Sequence, residues 1–188
     1  MPEHPGIFET ELVQKCKKGD YKAQEMLYKH FYGYAMGIGL RYLSNRDDAL
    51  EVVNDAFMKV FKSLKHFNSE QLFRPWLRKI VVNTALDRKR KDLKHLNQID
   101  IELACDSAMS VQAIDTLTAK DILLLLNALP DIQRIVFNLY ELDGYKHEEI
   151  SQMLNIPASS SRVHLSRAKE KLKKAWLEEQ NSYEKTRR

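Results

Sequence analysis

The chain has 188 residues, a formal net charge of +4 and a pI near 8.9, with 44% hydrophobic and 30% charged residues. That balance excludes a wholly disordered chain and provides apolar mass for one medium or two small cores. The longest apolar run, residues 122–126, is far too short to span a bilayer. Cys16 and Cys105 are far apart with no CxxC or histidine beside them, so neither a disulfide framework nor a zinc site is expected. Residues 1–6 lack the basic-then-apolar order of a signal peptide, and a reducing cytoplasm is the expected location.

In chain order, residues 10–17 read as a short helix stopped by Gly19. Asp20 is placed to cap a longer helix through Leu43, with Ala23, Leu27, Phe31, Tyr34 and Ile38 on one face. Gly33, Gly37 and Gly39 weaken that helix intrinsically, and close packing against a neighbour is the expected reason for them. Ser44-x-x-Asp47 resembles a capping box opening a helix over 47–64, with Val52, Ala56, Val60 and Leu64 four apart and Val53, Phe57 and Phe61 in a parallel row. Residues 65–73 read as a loop. Pro75 suits the first turn of a helix running to about Lys91.

Residues 97–118 have no sustained period and read as a linker. Thr118-x-x-Asp121 resembles a second capping box. Helices are expected over 119–128, 131–141, 147–154 and 160–179, punctuated by Gly144, Asn155 and Pro157. No segment reads as a strand. The expected fold is all-α: two small helical domains, 7–93 and 118–180, joined by a linker over 94–117, the second domain carrying a helix-turn-helix.

Charge sharpens this division. Residues 74–94 hold eight basic residues against Asp87 and Asp92, and residues 162–174 hold six against Glu170. Between them, residues 96–118 hold four acids and no Lys or Arg. One basic helix face alone would read as solvated surface. Two, separated by an acidic stretch, suggest two contacts with a polyanion.

Residues 147–172 give a short helix, a tight Ile-Pro corner and a longer basic helix, which is helix-turn-helix order. Ser161, Leu165, Ala168 and Leu172 form the inward stripe of the second helix. Ser160, Val163, Arg167 and Lys174 lie opposite, flanked by Ser166 and Lys171, with Arg162 and His164 to the sides. A helix fits the major groove, where arginine pairs with guanine edges and serine or histidine bonds to bases. Lysines further along reach phosphates. These residues are candidate duplex-DNA contacts, and a solvated helical hairpin is the plainer alternative.

Over residues 129–172, Leu129-Pro130, Arg134, Val136-Phe137, Gly144, Glu149-Ile150, Ile156-Pro157 and Leu165-Ser166-Arg167-Ala168 resemble region 4 of the sigma-70 family. In the N-terminal half, residues 47–57 and the run Phe73-Arg74-Pro75-Trp76-Leu77-Arg78-Lys79-Ile80-Val81-Val82-Asn83-Thr84 resemble sigma region 2. The layout, with no region 3 between them, is similar to the extracytoplasmic-function (ECF) group. Ser159-Ser160-Ser161 stands where Gly-Thr-Val is typical, and Asn54 where Gln is common.

The resemblance implies a non-catalytic initiation factor. It would bind core RNA polymerase, recognise the −35 element through the second domain, and read and melt the −10 element through the first. An anti-sigma protein is a further implied partner, and no cofactor, metal or membrane insertion is implied. Asp48, Glu51 and Asp55 share one helix face at three- and four-residue steps, with Asn54 beside them. The resemblance makes them the polymerase-binding set. Without it they would read as a solvated face or, less simply, as nuclease metal ligands.

In the following helix Leu77, Ile80, Val81 and Thr84 are expected inward, and Lys79, Asn83 and Arg90 on one outward stripe. An extruded base needs an aromatic wall and amide partners. The resemblance gives that work to the 65–73 loop and this helix, hence to Phe67, Asn68, Phe73, Trp76, Lys79, Asn83 and Arg90. The competing reading is a helix-turn-helix regulator with an N-terminal sensing or interaction domain. An enzyme ranks third, because no phosphate-cradling glycine loop, nucleophile–base arrangement or metal cluster is discernible.

Overall fold

The computed structural model describes residues 7–93 and 119–186, and every regular element among them is helical. The chain divides into two compact units, residues 1–89 and 90–188. The expected linker and the Thr118 capping box lie outside the described residues.

The first unit contains α1 (Ile7–Lys17), α2 (Tyr21–Tyr42), α3 (Arg46–Ser63), a 3₁₀ turn (Leu64–His66) and α4, Phe73–Leu93, whose last turn runs past the unit's limit. Gly19 ends α1 at φ +83°, a conformation open to glycine. Asp20 then caps α2, its carboxylate accepting from the Lys22 and Ala23 amides at 2.9 and 3.2 Å. The α3 cap is Asn45 rather than Ser44. Its Oδ1 accepts from the Asp48 amide at 2.7 Å, and its Nδ2 donates back to the Asp48 carboxylate. The pair differs from a capping box, because Asp48 takes its bond from the Asn45 side chain and not from the Asn45 backbone N–H.

The core of this unit is where the apolar spacing puts it. Ala23, Leu27, Phe31 and Ile38 of α2 are buried, as are Val52, Val53, Ala56, Phe57 and Val60 of α3. From α4, Leu77, Val81 and Thr84 are buried and Ile80 is half-buried; Val82, Ala85 and Leu86 extend the buried face beyond expectation.

The glycine expectation holds at one position of three. A Cβ on Gly39 would meet the Ala49 carbonyl oxygen of α3 at 3.4 Å, whereas Gly33 and Gly37 have nothing within 4 Å. Gly37 is exposed, so its lack of a side chain mainly increases backbone freedom in the unfolded chain. Gly37→Ala is therefore expected to stabilise the first unit by about 0.5–1 kcal/mol. Gly39→Ala, which must push Ala49, should give no such gain; thermal melts of the two variants compare them directly.

The second unit contains α5 (Ala119–Asn127), α6 (Asp131–Phe137), a π-turn (Asn138–Leu142), α7 (His147–Leu154) and α8 (Ala158–Thr186). The helix expected over 131–141 widens at Asn138, where the Asp143 amide donates to the Asn138 carbonyl at 2.9 Å. Leu126, Leu129 and Ala168 form the centre of a core cluster, with Phe137 and Leu172 packed against it. A guanidinium lies inside this unit: Arg134 donates to Asp131 at 2.6 Å and to Asn127 at 3.0 Å, joining α5 to α6.

Candidate partner and nucleic-acid interfaces

In the first unit the Asn45 cap fixes the start of α3 and so the azimuth of its acidic face. Glu51, Asn54 and Asp55 are exposed and Asp48 is half-exposed. The acids are not simply solvated. Arg88 of α4 reaches across to both Asp48 (3.1 Å) and Glu51 (2.9 Å). The Asp48 hydrogen bond and then the Glu51 charge raise the Arg88 pKa above its ordinary value. Asn54 accepts from the Tyr28 hydroxyl of α2 at 2.9 Å, and the Tyr28 ring packs edge-on against Phe57 at 4.8 Å. The ridge is thus held from two sides. Neither Arg88 nor Tyr28 was identified from the sequence, because spacing along one helix does not tell which residue of another helix crosses it.

On α4, Lys79, Asn83 and Arg90 are all exposed, as the step of four and seven residues requires. The aromatic expectations change. Phe67 and Phe73 retain only 6% and 4% of their exposure. Their rings form one cluster with Trp76 (Phe67–Trp76 4.7 Å, Phe73–Trp76 5.6 Å), and Phe73 also meets Phe31 of α2 at 4.8 Å. Burying large apolar rings outweighs presenting them to solvent. Both phenylalanines therefore anchor the loop rather than wall an open pocket, and Trp76 is half-buried among them. Asn68 is exposed, but its Oδ1 accepts from the Glu70 amide at 3.0 Å, so its side chain shapes the loop.

The second unit builds a helix-turn-helix from α7 and α8. Asn155 caps α7 in the left-handed conformation at φ 54°, where asparagine is tolerated. Ser151 locks the corner, donating its hydroxyl to the Ile156 carbonyl at 2.6 Å. Ile150, Leu154, Ile156, Leu165 and Ala168 are buried behind it. Ser161 is fully buried and finds its partner in His147 Nδ1 at 2.9 Å, while the His147 ring stacks on Tyr140 at 4.4 Å. α8 is further fixed by the Lys169–Glu141 ion pair at 2.7 Å.

The outward residues of α8 differ in their freedom. Lys171 and Lys174 are exposed; Ser160, Val163, Ser166 and Arg167 are half-exposed. Arg162 is exposed and pairs with Glu148 of α7 at 2.9 Å. His164 turns Nδ1 inward, where that atom is buried without a protein partner. Burial, and then the Arg167 charge, hold the His164 imidazole below its ordinary pKa. Its ring is thus half-buried, with Nδ1 turned away from the outward face.

Burial and Arg162 likewise lower His147, with Lys169 adding to them and Glu148 opposing. Both histidines therefore bind a proton more readily in the unfolded chain than in the fold. Their contribution to stability is complete above the ordinary value of 6.5 and is lost as pH falls through the lower folded-state values. Melts between pH 7.5 and 5 should show the second unit losing stability on acidification, and replacing His147 and His164 should flatten that dependence.

Among the described residues no group of three His, Cys, Asp or Glu side chains is placed to hold a metal ion, and no helix is long and apolar enough to cross a membrane.

Sequence comparison assigns both units. Residues 27–94 match the family model for sigma-70 region 2, and residues 119–172 match that for sigma-70 region 4. An ECF RNA polymerase sigma-E factor of Haemophilus influenzae is 28% identical, the alignment covering 87% of this chain and 93% of that protein. The ECF RNA polymerase sigma-E factor of Escherichia coli K12 is also 28% identical, over 85% of this chain and 89% of that protein. A solved structure of CnrH in complex with the cytosolic domain of CnrY aligns over 90% of this chain and 96% of that one, at 22% identity and a TM-score of 0.47. The acidic ridge and Trp-bearing helix fall inside the first matched region, and the helix-turn-helix inside the second: the chain belongs to the sigma-70 family, as an ECF sigma factor.

Proposed function

We propose that this sigma factor acts without catalysis of its own, in the cytoplasm, by holding core RNA polymerase on one unit and promoter DNA on both. The observation that carries this reading is the pairing, in one chain, of an exposed acidic ridge on α3 with a basic helix-turn-helix. A DNA-binding regulator would need only the second. In the proposed division of labour Asp48, Glu51, Asn54 and Asp55 meet the polymerase. Lys79, Asn83 and Arg90, with the 65–73 loop, meet the melted −10 strand, and the outward face of α8 meets the −35 duplex. An anti-sigma protein would control the factor by covering one of these faces. In vitro transcription with core polymerase and genomic fragments tests the reading. Promoter-specific transcripts that require this chain support it. Their absence, together with failure to co-purify with core enzyme, makes the chain a plain regulator.

The two ends of the α8 face should behave differently. Arg167 lies in the half that would enter the groove, where a bidentate contact with guanine supplies about 1–3 kcal/mol of discrimination. Lys174 lies two turns on, toward the backbone. Arg167→Ala is expected to flatten the preference for the −35 sequence over its point variants. Lys174→Ala should weaken all duplexes alike and reduce the salt slope. Titrations of both variants at several salt concentrations separate the two roles.

A further inference from the structure

The loop between the 3₁₀ turn and α4 is held in a way that points to a residue outside the set above. Its ends are fixed by the buried Phe67 and Phe73 rings. Its tip is a turn, closed by Gln71 N–H to the Asn68 carbonyl at 3.1 Å and by Glu70 N–H to Asn68 Oδ1 at 3.0 Å. Ser69 stands in that turn, exposed, at the rim of a shallow hollow shared with Glu9 and Gln14 of α1. Two α1 side chains converge on its hydroxyl. Lys17 Nζ donates to Ser69 Oγ at 2.8 Å and Gln14 Nε2 donates to the same atom at 2.9 Å. Lys17 also donates to the Phe67 carbonyl at 2.6 Å and lies 5.6 Å from the Phe67 ring centre.

A hydroxyl oxygen has two acceptor sites and one proton. With both acceptor sites occupied, Ser69 can offer only its O–H, and the ammonium on its oxygen makes that O–H a stronger donor. Asn68, by contrast, spends its carbonyl oxygen inside the turn.

We propose that Ser69 is a specificity-determining residue of the loop, donating its O–H to an acceptor on the melted strand, and that Lys17 and Gln14 are the positioning residues that fix it as a donor. The acceptor is a base-edge oxygen or nitrogen. The inference rests on the reading of the loop as a contact with the melted −10 strand.

The test uses the full chain bound to core polymerase and fluorescent single-stranded oligonucleotides carrying the −10 segment of a promoter found by the transcription assay. One oligonucleotide set varies each base in turn, and a second replaces each base by an abasic site. Ser69→Ala is expected to weaken the parent oligonucleotide about five- to tenfold, the worth of one hydrogen bond to a strong donor. Ser69→Thr, which keeps the hydroxyl, should restore binding. A loss that vanishes when one position is abasic identifies the base acceptor; an equal loss on every member means a phosphate contact, which carries no sequence information, and overturns the specificity role. Lys17→Met should reproduce the Ser69→Ala loss and add nothing to it in the double variant, while Lys17→Arg restores most of it.

Unchanged affinity and base preference in Ser69→Ala overturns the proposal. A Lys17→Met variant that melts earlier but reads bases normally overturns the positioning role. Asn83→Ala is measured alongside. If it weakens binding and Ser69→Ala does not, only the Ser69 assignment fails; if neither weakens binding, the loop and α4 do not read the strand at all.

Discussion

Replacing Glu51 and Asp55 together by lysine is expected to reduce the affinity for core polymerase by roughly a hundredfold or more, because facing like charges across an interface costs several kcal/mol. Both residues are exposed on α3, and neither contributes to the buried rows that hold α3 in the core. Helical content should therefore be unchanged. The effect has a local component as well. In the native ridge Arg88 is shared between Asp48 and Glu51, so Glu51→Lys sets a second cation against it. Arg88 should then turn fully to Asp48 and withdraw that carboxylate from any partner. Arg88→Ala alone is expected to act in the opposite direction on charge, by uncovering both acids, while removing their support. Co-purification with core enzyme in the absence of DNA, at low and moderate salt, compares the variants. If even the wild-type chain fails to co-purify, the proposed polymerase contact falls.

The element boundaries and the buried rows were largely legible because amphipathic spacing writes them directly. The α3 rows Val52–Ala56–Val60 and Val53–Phe57, and the α8 stripe Ser161–Leu165–Ala168, are buried as the spacing requires. Exposed faces were legible for the same reason, which is why Lys79, Asn83 and Arg90 all face solvent. What spacing does not carry is the partner across the core. A loop aromatic such as Phe67 has no helical period to place it, so its burial against Trp76 depended on a contact between elements. The Lys17–Ser69 bond joins residues far apart in the chain and has no signature in either segment. The shift of the α3 cap from Ser44 to Asn45 has a local cause: both are good capping residues, and the asparagine can both accept from and donate to Asp48.

Arg134 illustrates the same limit, since the sequence marked it only as part of a region-4-like pattern. In the structure its side chain is 1% exposed and bridges Asp131 and Asn127 from within the second unit. Burial lowers the pKa of its guanidinium, and Asp131 opposes that shift. Arg134→Ala should remove the α5–α6 tie and leave a cavity the size of a large side chain. Truncating one partner of a buried ion pair costs about 3–5 kcal/mol. Asp131 keeps 30% exposure and can be rehydrated, which places the expected loss at the lower end of that range. For a small unit this is a large part of its total stability.

Arg134→Met fills most of the same volume. It also removes a buried Nε for which the structure provides no hydrogen-bond partner, so it should lose much less than the alanine variant. Hydrogen exchange should show protection in Arg134→Ala lost across residues 121–177 and kept across residues 8–90, with −35 duplex binding lost in parallel. Equal losses in both units would mean that they fold as one cooperative body. An unchanged second unit would mean that hydrophobic packing around Leu126, Leu129 and Ala168, and not the buried arginine, holds α5 to α6 and α8.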